Sequence, residues 1–511
     1  MAFRISLFTV AILTTASCGL PIAEPTSGGS GKAEGFNVAN DLARFHPKLA
    51  EPSYQVYVSE TRAGQASSTT IYSASDWPIW SGGIARRWQR YAPRRDVGHS
   101  PPDYWRTESV AAAERAPVEK YDALVGNSSD YLACGGRLLD AAEQPLTRRD
   151  LLTTAAYCAS WTREAWQERG APAFRDSRLL SAVDAAWPSV APDQLVPVTR
   201  GVGLATAWEL SVHGPFRPVL PEYWNGHCGG WVWQSSTTPP PAREIVVRYL
   251  PDASPPIQAC KPGTDQTGCV TFRAADIEAL LAEVSIGAPI TTLGSRCNSE
   301  SSALLTEIAE TGRVSDDRCR DLNPGALHIA LVGLLQRGVD GERLAPGVDV
   351  TADYEVWNYP VIGFSFREVG VYTNRAAARR RVLAAHAGDG ERILVADADR
   401  WVEIAMTLTL QDLSEELSLP AAERHRTKRF PLRYLLELKS DPEAVGLGQK
   451  RIVGGEWLDE SRLTHPDFLF LARADQPLVR HPFESNPYVN TAVVRALHAC
   501  ANDPQSCAPR D

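Results

Sequence analysis

The stretch "EYWNGHCGGWVWQS", residues 222–235, sets one cysteine, Cys228, among glycines and tryptophans in a run with almost no charge. A cysteine in that position is packing material, half of a disulfide, a metal ligand or a nucleophile. Parity is the first discriminator. The chain carries ten cysteines in 511 residues. Cys18 sits at the end of an N-terminal export signal and leaves the count through cleavage or lipidation. Eight of the other nine are close neighbours along the chain: Cys134 and Cys158, Cys260 and Cys269, Cys297 and Cys319, Cys500 and Cys507. Such local loops are natural disulfides in an exported protein. Cys228 is left over, which reads as a reactive thiol. There is no CxxC pair and no zinc-type Cys/His spacing, so no metal site is expected.

The export reading rests on "MAFRISLFTVAILTTASCGL". Arg4 precedes an apolar run from Ile5 to Leu13, and small residues follow, the layout of a signal peptide. "TTASC" has the form of a weak lipobox, with Cys18 as the lipidated residue; cleavage just before or near Cys18 is the plain alternative. The expected organisation is a signal over 1–17, a Gly/Ser/Pro-rich tether over 18–49, a loop-rich N-terminal region over 50–145, a catalytic domain over 146–485 and a C-terminal disulfide tail over 486–511. Net charge is −9, with 22% charged and 44% hydrophobic residues. A general affinity for nucleic acid or anionic membrane is disfavoured, so membrane contact is expected only through a lipid on Cys18. Two methionines beside many Ala and Arg point to a GC-rich genome.

Residues 150–170 read as a helix ending at Gly170, and "RAADIEALLAEVSIG" and "SALLTEIAETG" read as helices ending at Gly287 and Gly312. "EIVVRYL", "DYEVWNYPVIGFSFREVGVY", "RWVEIAMTLTLQDL" and "RFPLRYLLELKS" have the β-branched and aromatic enrichment of strands. "ALHIALVGLLQRG" reads as a buried strand and "AAARRRVLAAHAG" as a helix. The order is that of an α+β fold in which Cys228 opens a helix.

A thiol attacks acyl groups as the thiolate, which an imidazole or a helix N-terminus favours. His328, in "NPGALHIALVGLL", stands out because a polar group in an apolar run needs a reason; a histidine hydrogen-bonded at a sheet surface is the plain alternative. Asn358, in "EVWNYPVIGF", would orient the imidazole, with Asp353 competing for that role. Papain-like cysteine proteases follow the same order: Cys at a helix start, His on a strand, Asn on the next strand beside a Trp. Here Trp357 precedes the Asn instead of following it.

The motifs also resemble a particular family. "VWNYPVIGFSF" is similar to the core of the oomycete transglutaminase elicitors, whose surface peptide beginning Val-Trp-Asn-Gln-Pro-Val is recognised by plant immunity; Tyr359 replaces Gln here. "YWNGHCGGW" resembles the family's cysteine motif and "NPGALHIAL" its histidine motif. "GGEWLDESRLTHPDFLF", residues 454–470, resembles its C-terminal block. A lipoprotein-like start suits a bacterial member. The resemblance implies a papain-like cysteine-protease/transglutaminase core and γ-glutamyl transfer between protein chains. Cys228 would attack a protein glutamine, His328 would give its proton to departing ammonia, and a lysine or small amine would resolve the thioester.

The Cys228 N–H, with the Trp224 indole or the Asn225 amide, would hold the oxyanion. Trp224 and Trp357 would serve as dry walls that disfavour water as acceptor, or as plain packing. His465 and Asp467 would line the acceptor site or form a turn. No cofactor is implied. Some transglutaminases need calcium, and this chain has no EF-hand-like loop. The competing readings are a papain-like protease or amidase and an inactive surface-binding protein of the same fold.

Overall fold

The computed structural model describes residues 36–57, 63–66, 71–79, 82–88, 111–126, 224–261, 267–297, 301–311, 322–385, 397–414, 427–441, 450–476 and 485–508, with isolated positions between them. Cys18, Cys134, Cys158 and the helix expected over 150–170 lie outside the described residues.

A nine-stranded sheet forms the frame. Its strands are β1 (Val56–Tyr57), β2 (Ala63–Gln65), β6 (Ile290–Gly294), β7 (Gly347–Asp349), β8 (Asn358–Tyr372), β9 (Arg400–Gln411), β10 (Thr427–Ser440), β11 (Lys450–Trp457) and β12 (Phe468–Ala472), in the spatial order β1-β11-β10-β9-β8-β7-β12-β6 with β2 also paired to β8. All of these pairings are antiparallel. A three-stranded sheet of β3 (Ile245–Tyr249), β4 (Ile257–Ala259) and β5 (Val270–Phe272) stands apart. The long strands are those whose sequence alternates. In β9, Ile404, Met406, Leu408 and Leu410 are buried while Ala405, Thr407 and Thr409 are half-buried, the period-2 pattern of a strand with one core face.

Among the described residues, the helices of eight residues or more are α1 (Pro117–Val125), α2 (Cys228–Thr237), α3 (Ala274–Val284), α4 (Ser301–Thr311), α5 (Pro324–Leu331), α6 (Arg375–Ala385) and α7 (Thr491–Asn502). Cys228 therefore opens a helix, as expected, and α2 packs on α3, β8 and β12. The glycines of its motif allow that approach. A Cβ on Gly230 would lie 2.0 Å from the Ala282 carbonyl oxygen of α3, and one on Gly226 would lie 2.4 Å from the Asp76 carbonyl oxygen. The tryptophans are tied to backbone: Trp231 Nε1 donates to the Tyr72 carbonyl at 3.0 Å and Trp233 Nε1 to the Pro289 carbonyl at 3.1 Å. Buried ion pairs brace α3, among them Lys120 with Asp276 at 2.6 Å and Arg424 with Glu278. Core residues of α7, among them Val493 and Leu497, belong to the same apolar cluster as Leu42, Phe45 and Trp77 near the chain start.

The segment around His328 corrects the sequence reading. Asn323 caps a helix N-terminus, its side chain accepting from the Gly325 N–H at 2.8 Å, and Pro324 occupies the first turn. The run that follows is α5, continued by a π-helical turn over Val332–Arg337, and not a strand. A short apolar run is ambiguous between the two states, and the cap decides it. The helix crosses β11 on glycines, where a Cβ on Gly325 would lie 2.5 Å from the Gly454 carbonyl oxygen.

Disulfides join Cys260 to Cys269, Cys297 to Cys319 and Cys500 to Cys507, and Cys228 is a buried thiol outside them. Three disulfides fit a protein of an oxidising compartment. No described helix is long and apolar enough to cross a membrane.

The α2–α3 contact leaves no room for a methyl group. Gly230→Ala is expected to destabilise the protein by about 1–3 kcal/mol, read as a lower midpoint in thermal or urea unfolding. An unchanged midpoint would mean that the two helices have slack to separate.

Candidate active site

Cys228 is 1% exposed and occupies the first position of α2, at the positive end of the helix dipole. Asn358, the first residue of β8, reaches it: Asn358 Nδ2 donates to Cys228 Sγ at 3.8 Å, and Asn358 is itself 1% exposed. The sulfur and the asparagine, 130 residues apart in sequence, thus meet in the core.

Directly across the β7–β8 pair from Asn358 stands Asp349. Its side chain is fully buried. Oδ1 accepts from Thr351 Oγ1 at 2.8 Å, from the Trp357 N–H at 2.8 Å and from the Thr351 N–H at 3.3 Å. Oδ2 is buried with no hydrogen-bond partner among the described residues. Burial pushes the carboxyl up to about 7, against the opposing pull of those hydrogen bonds and of the Arg296 cation. A carboxyl poised near neutrality, paired across the strands with the residue that contacts the sulfur, is a candidate acid–base group. The sequence reading missed it, although "GVDVTADYEVWN" carries a signal: two aspartates just upstream of the Trp-Asn pair.

Asp353 does not take that place. Its carboxylate accepts from the Glu355 N–H at 3.0 Å, a local turn contact. Trp357 is half-buried, and its indole N–H donates to Glu355 at 2.9 Å. Trp224 is buried, edge-on to Tyr354 at 5.9 Å, with the Arg296 guanidinium 5.5 Å from its ring centre. Arg296 also donates to the Tyr354 carbonyl at 2.7 Å, so these three side chains form one wall. Asn225 is buried; its carbonyl accepts from the Ile79 N–H at 2.8 Å, and its Oδ1 finds no donor among the described residues.

His328 is not brought to the thiol. Its Nδ1 shares a 2.8 Å hydrogen bond with the Tyr434 hydroxyl of β10, and its ring packs on Phe366 at 4.7 Å and Tyr57 at 5.9 Å. It makes no hydrogen bond or ring contact with Cys228 or Asn358. Burial alone holds the imidazole down to about 3, so it is neutral in its box. His328 lies on α5, which turns it toward Tyr434 of β10. His465 stacks on Trp457 at 5.3 Å, and Asp467 accepts from the Cys297 N–H at 2.7 Å, so that pair holds the disulfide loop and the sheet.

One histidine does lie beside the sulfur in sequence. His227 is fully buried. Its Nε2 meets Glu283 Oε2 at 2.8 Å and Glu209 Oε1 at 3.2 Å, and its Nδ1 meets the Trp77 carbonyl at 3.1 Å. Burial opposes the charged ring, but the hydrogen bonds and charges of Glu209 and Glu283 outweigh it and raise the group to about 10. These three residues are also the group, among the described residues, whose donor atoms lie within 4.8 Å of one another and could hold a metal ion.

No curated protein matches this chain. Among solved structures, it is similar to the crystal structure of the GP42 transglutaminase from Phytophthora sojae, at 18% sequence identity over 91% of this chain and 99% of that chain, with a TM-score of 0.46. The "Transglutaminase elicitor" family model matches residues 259–481, a segment that contains Asp349 and Asn358 and begins after Cys228. That segment, which is similar to the transglutaminase elicitor family, carries most of the sheet and one side of the site.

Proposed function

We propose that the protein is a protein-glutamine γ-glutamyltransferase that uses Cys228 as nucleophile. The observation that carries this reading is the contact between Asn358 and the Cys228 sulfur at a helix N-terminus, with Asn358 inside the segment matched to the family.

The Cys228 sulfur attacks the carboxamide carbon of a protein glutamine. The thiol proton passes to Asp349, and from there to the departing nitrogen, which leaves as ammonia. A γ-glutamyl thioester remains. A lysine side chain or a small primary amine then attacks the thioester, its proton returns by the same carboxyl, and the thiolate is released. Asn358 holds the sulfur in register with the strand pair. The Cys228 N–H, with the Asn225 amide or the Trp224 indole, receives the oxyanion. Trp224, Tyr354 and the half-buried Trp357 keep the acyl group from water, so that an amine wins as acceptor. Asp349 takes the acid–base role that the sequence reading gave to His328.

The test is incorporation of a fluorescent primary amine into casein by the disulfide-intact protein, with and without calcium. Wild type should label casein and Cys228→Ala should not. Casein cleavage or deamidation that needs Cys228, without labelling, would replace this reading with a cysteine protease or amidase; no reaction of any kind would favour a binding protein of the same fold.

Asp349→Asn should lower the rate roughly 100-fold, whereas His328→Phe should change it less than tenfold, measured in the same assay. A larger loss for His328→Phe in a folded protein would restore the histidine to the mechanism.

Asp349 has a second, opposite signature. Its folded-state pKa is raised, so between the ordinary carboxylate value near ~4 and about 7 the folded protein holds a proton that the unfolded chain has lost. Stability falls as pH rises through that window. Asp349→Asn should therefore melt above wild type at pH 8, with the gap closing toward pH 4. A melting difference independent of pH would show that the carboxyl titrates normally.

A further inference from the structure

Asp349 and Asn358 are joined by a turn, residues 350–357, that closes the β7–β8 pair. The turn is gripped from outside at one residue. The Tyr354 N–H donates to the Ser299 carbonyl at 3.0 Å, and the Tyr354 carbonyl accepts from Arg296 Nη2 at 2.7 Å. Both grips come from the short segment that follows β6. That segment is itself fixed. The Cys297 N–H donates to the buried Asp467 at 2.7 Å, Cys297 is bonded to Cys319, and a Cβ on Gly294 would lie 2.3 Å from the Asp467 carbonyl oxygen. A turn held at both backbone groups of one residue moves only if both bonds break.

Arg296 also reaches the other half of the site. Its guanidinium lies 5.5 Å from the ring centre of Trp224, which is buried four residues before Cys228. Trp224 is edge-on to Tyr354 at 5.9 Å. A planar guanidinium stacks on an indole and donates from its edge at the same time, which a compact ammonium does not. One side chain thus links the approach to α2, the β7–β8 turn and the disulfide-bonded segment. Its charge also opposes the upward push of burial on the Asp349 carboxyl.

We propose that Arg296 is a positioning residue of the active site: it locks the turn between Asp349 and Asn358 to Trp224 and to the Cys297–Cys319 segment, and so fixes the strand pair against the N-terminus of α2. It acts through Tyr354, Trp224 and Asp349. Its effect on chemistry rests on the reading of Cys228 and Asp349 as reacting groups, but the lock is testable without any reaction.

The neighbours of Asp349 define the test. On β8 it faces Asn358, which meets the Cys228 thiol of α2, with His227 one residue behind that thiol. From the turn it receives the Thr351 hydroxyl and the Trp357 N–H. On the β12 side, Leu469 and Phe470 are paired with Val348 and Gly347. The turn's other carboxylates are engaged locally, Asp353 with the Glu355 N–H and Glu355 with the Trp357 indole.

Arg296→Met keeps a long apolar side chain against Trp224 and removes the charge and the bond to Tyr354. Arg296→Lys keeps the charge and removes the flat, forked donor. The first readout is the melting midpoint against pH, each protein compared with its own Asp349→Asn partner. In wild type the gap opens with rising pH and levels off above about 7. In Arg296→Met the carboxyl loses its restraining cation, and the gap should still be opening above pH ~8. Arg296→Lys should level off with wild type. A gap in Arg296→Met that levels off at the wild-type pH would overturn the proposal.

The second readout is casein labelling. Both variants should lose roughly tenfold in kcat, with the KM for the amine little changed, and only Arg296→Met should also move its pH profile upward. A kcat within twofold of wild type in either variant would overturn the proposal. Should Arg296→Met fail to fold by circular dichroism, Arg296→Lys decides by that same criterion. If wild type itself labels nothing, the transglutaminase reading fails alone, and the midpoint profiles still decide the place of Arg296.

Discussion

The site depends on one contact, the N-terminus of α2 set against the start of β8, where Asn358 meets the Cys228 sulfur at 3.8 Å. Almost every odd feature of the cysteine motif serves that contact. Gly226 lets the chain pass the Asp76 carbonyl, and Gly230 lets α2 lie on the backbone of α3. Trp231 and Trp233 are spent on the carbonyls of Tyr72 and Pro289, which lock the rotation of the helix about its axis. A helix locked in rotation and in approach has one direction in which to aim its first side chain, and that side chain is the thiol.

The antiparallel register between β7 and β8 completes the arrangement. Placing Asn358 opposite Asp349 puts a buried carboxyl behind the amide that touches the sulfur. In an antiparallel pair, directly opposed residues share one face, so a one-residue slip would send one of the two to the other side of the sheet. The Trp357 N–H, bonded to Asp349 Oδ1 at 2.8 Å, resists such a slip. The Trp-Asn pair of the strand-like motif is thus a register device as much as a chemical one: the Trp backbone fixes the aspartate, and the Asn side chain meets the cysteine.

Much of this was legible in the sequence and some was not, for identifiable reasons. Parity singled out Cys228 because disulfides in an exported chain close over short loops, and three of the four expected bridges lie among the described residues. The alternating runs of β9 and β10 were readable because one face of each strand is buried. His328 misled because its motif serves packing. The glycine of "NPGALH" lies on the glycines of "GGEW", where α5 crosses β11, and the histidine next to that crossing settles against Tyr434. These two motifs are two sides of one helix–sheet contact. Asp349 was missed for the converse reason, since an aspartate in a short strand before a turn looks like a turn residue. Only pairing and burial set it apart.

Two buried titratable groups, His227 before the thiol and Asp349 across the strands from Asn358, are both pushed upward by their surroundings. His227, between two carboxylates and a carbonyl, is held charged; Asp349, with one oxygen buried and unbonded, is driven toward its protonated form. Across the strand pair from the amide that meets the sulfur, the Asp349 carboxyl sits near neutrality. Neither arrangement helps the fold: a buried carboxyl with an orphan oxygen costs stability, and a buried imidazolium requires its own cage of acceptors. A protein needing only a sheet and a helix in contact would fill both places with apolar side chains. Both costs fall where the N-terminus of α2 meets the β7–β8 pair, a place that a passive core would fill with apolar side chains.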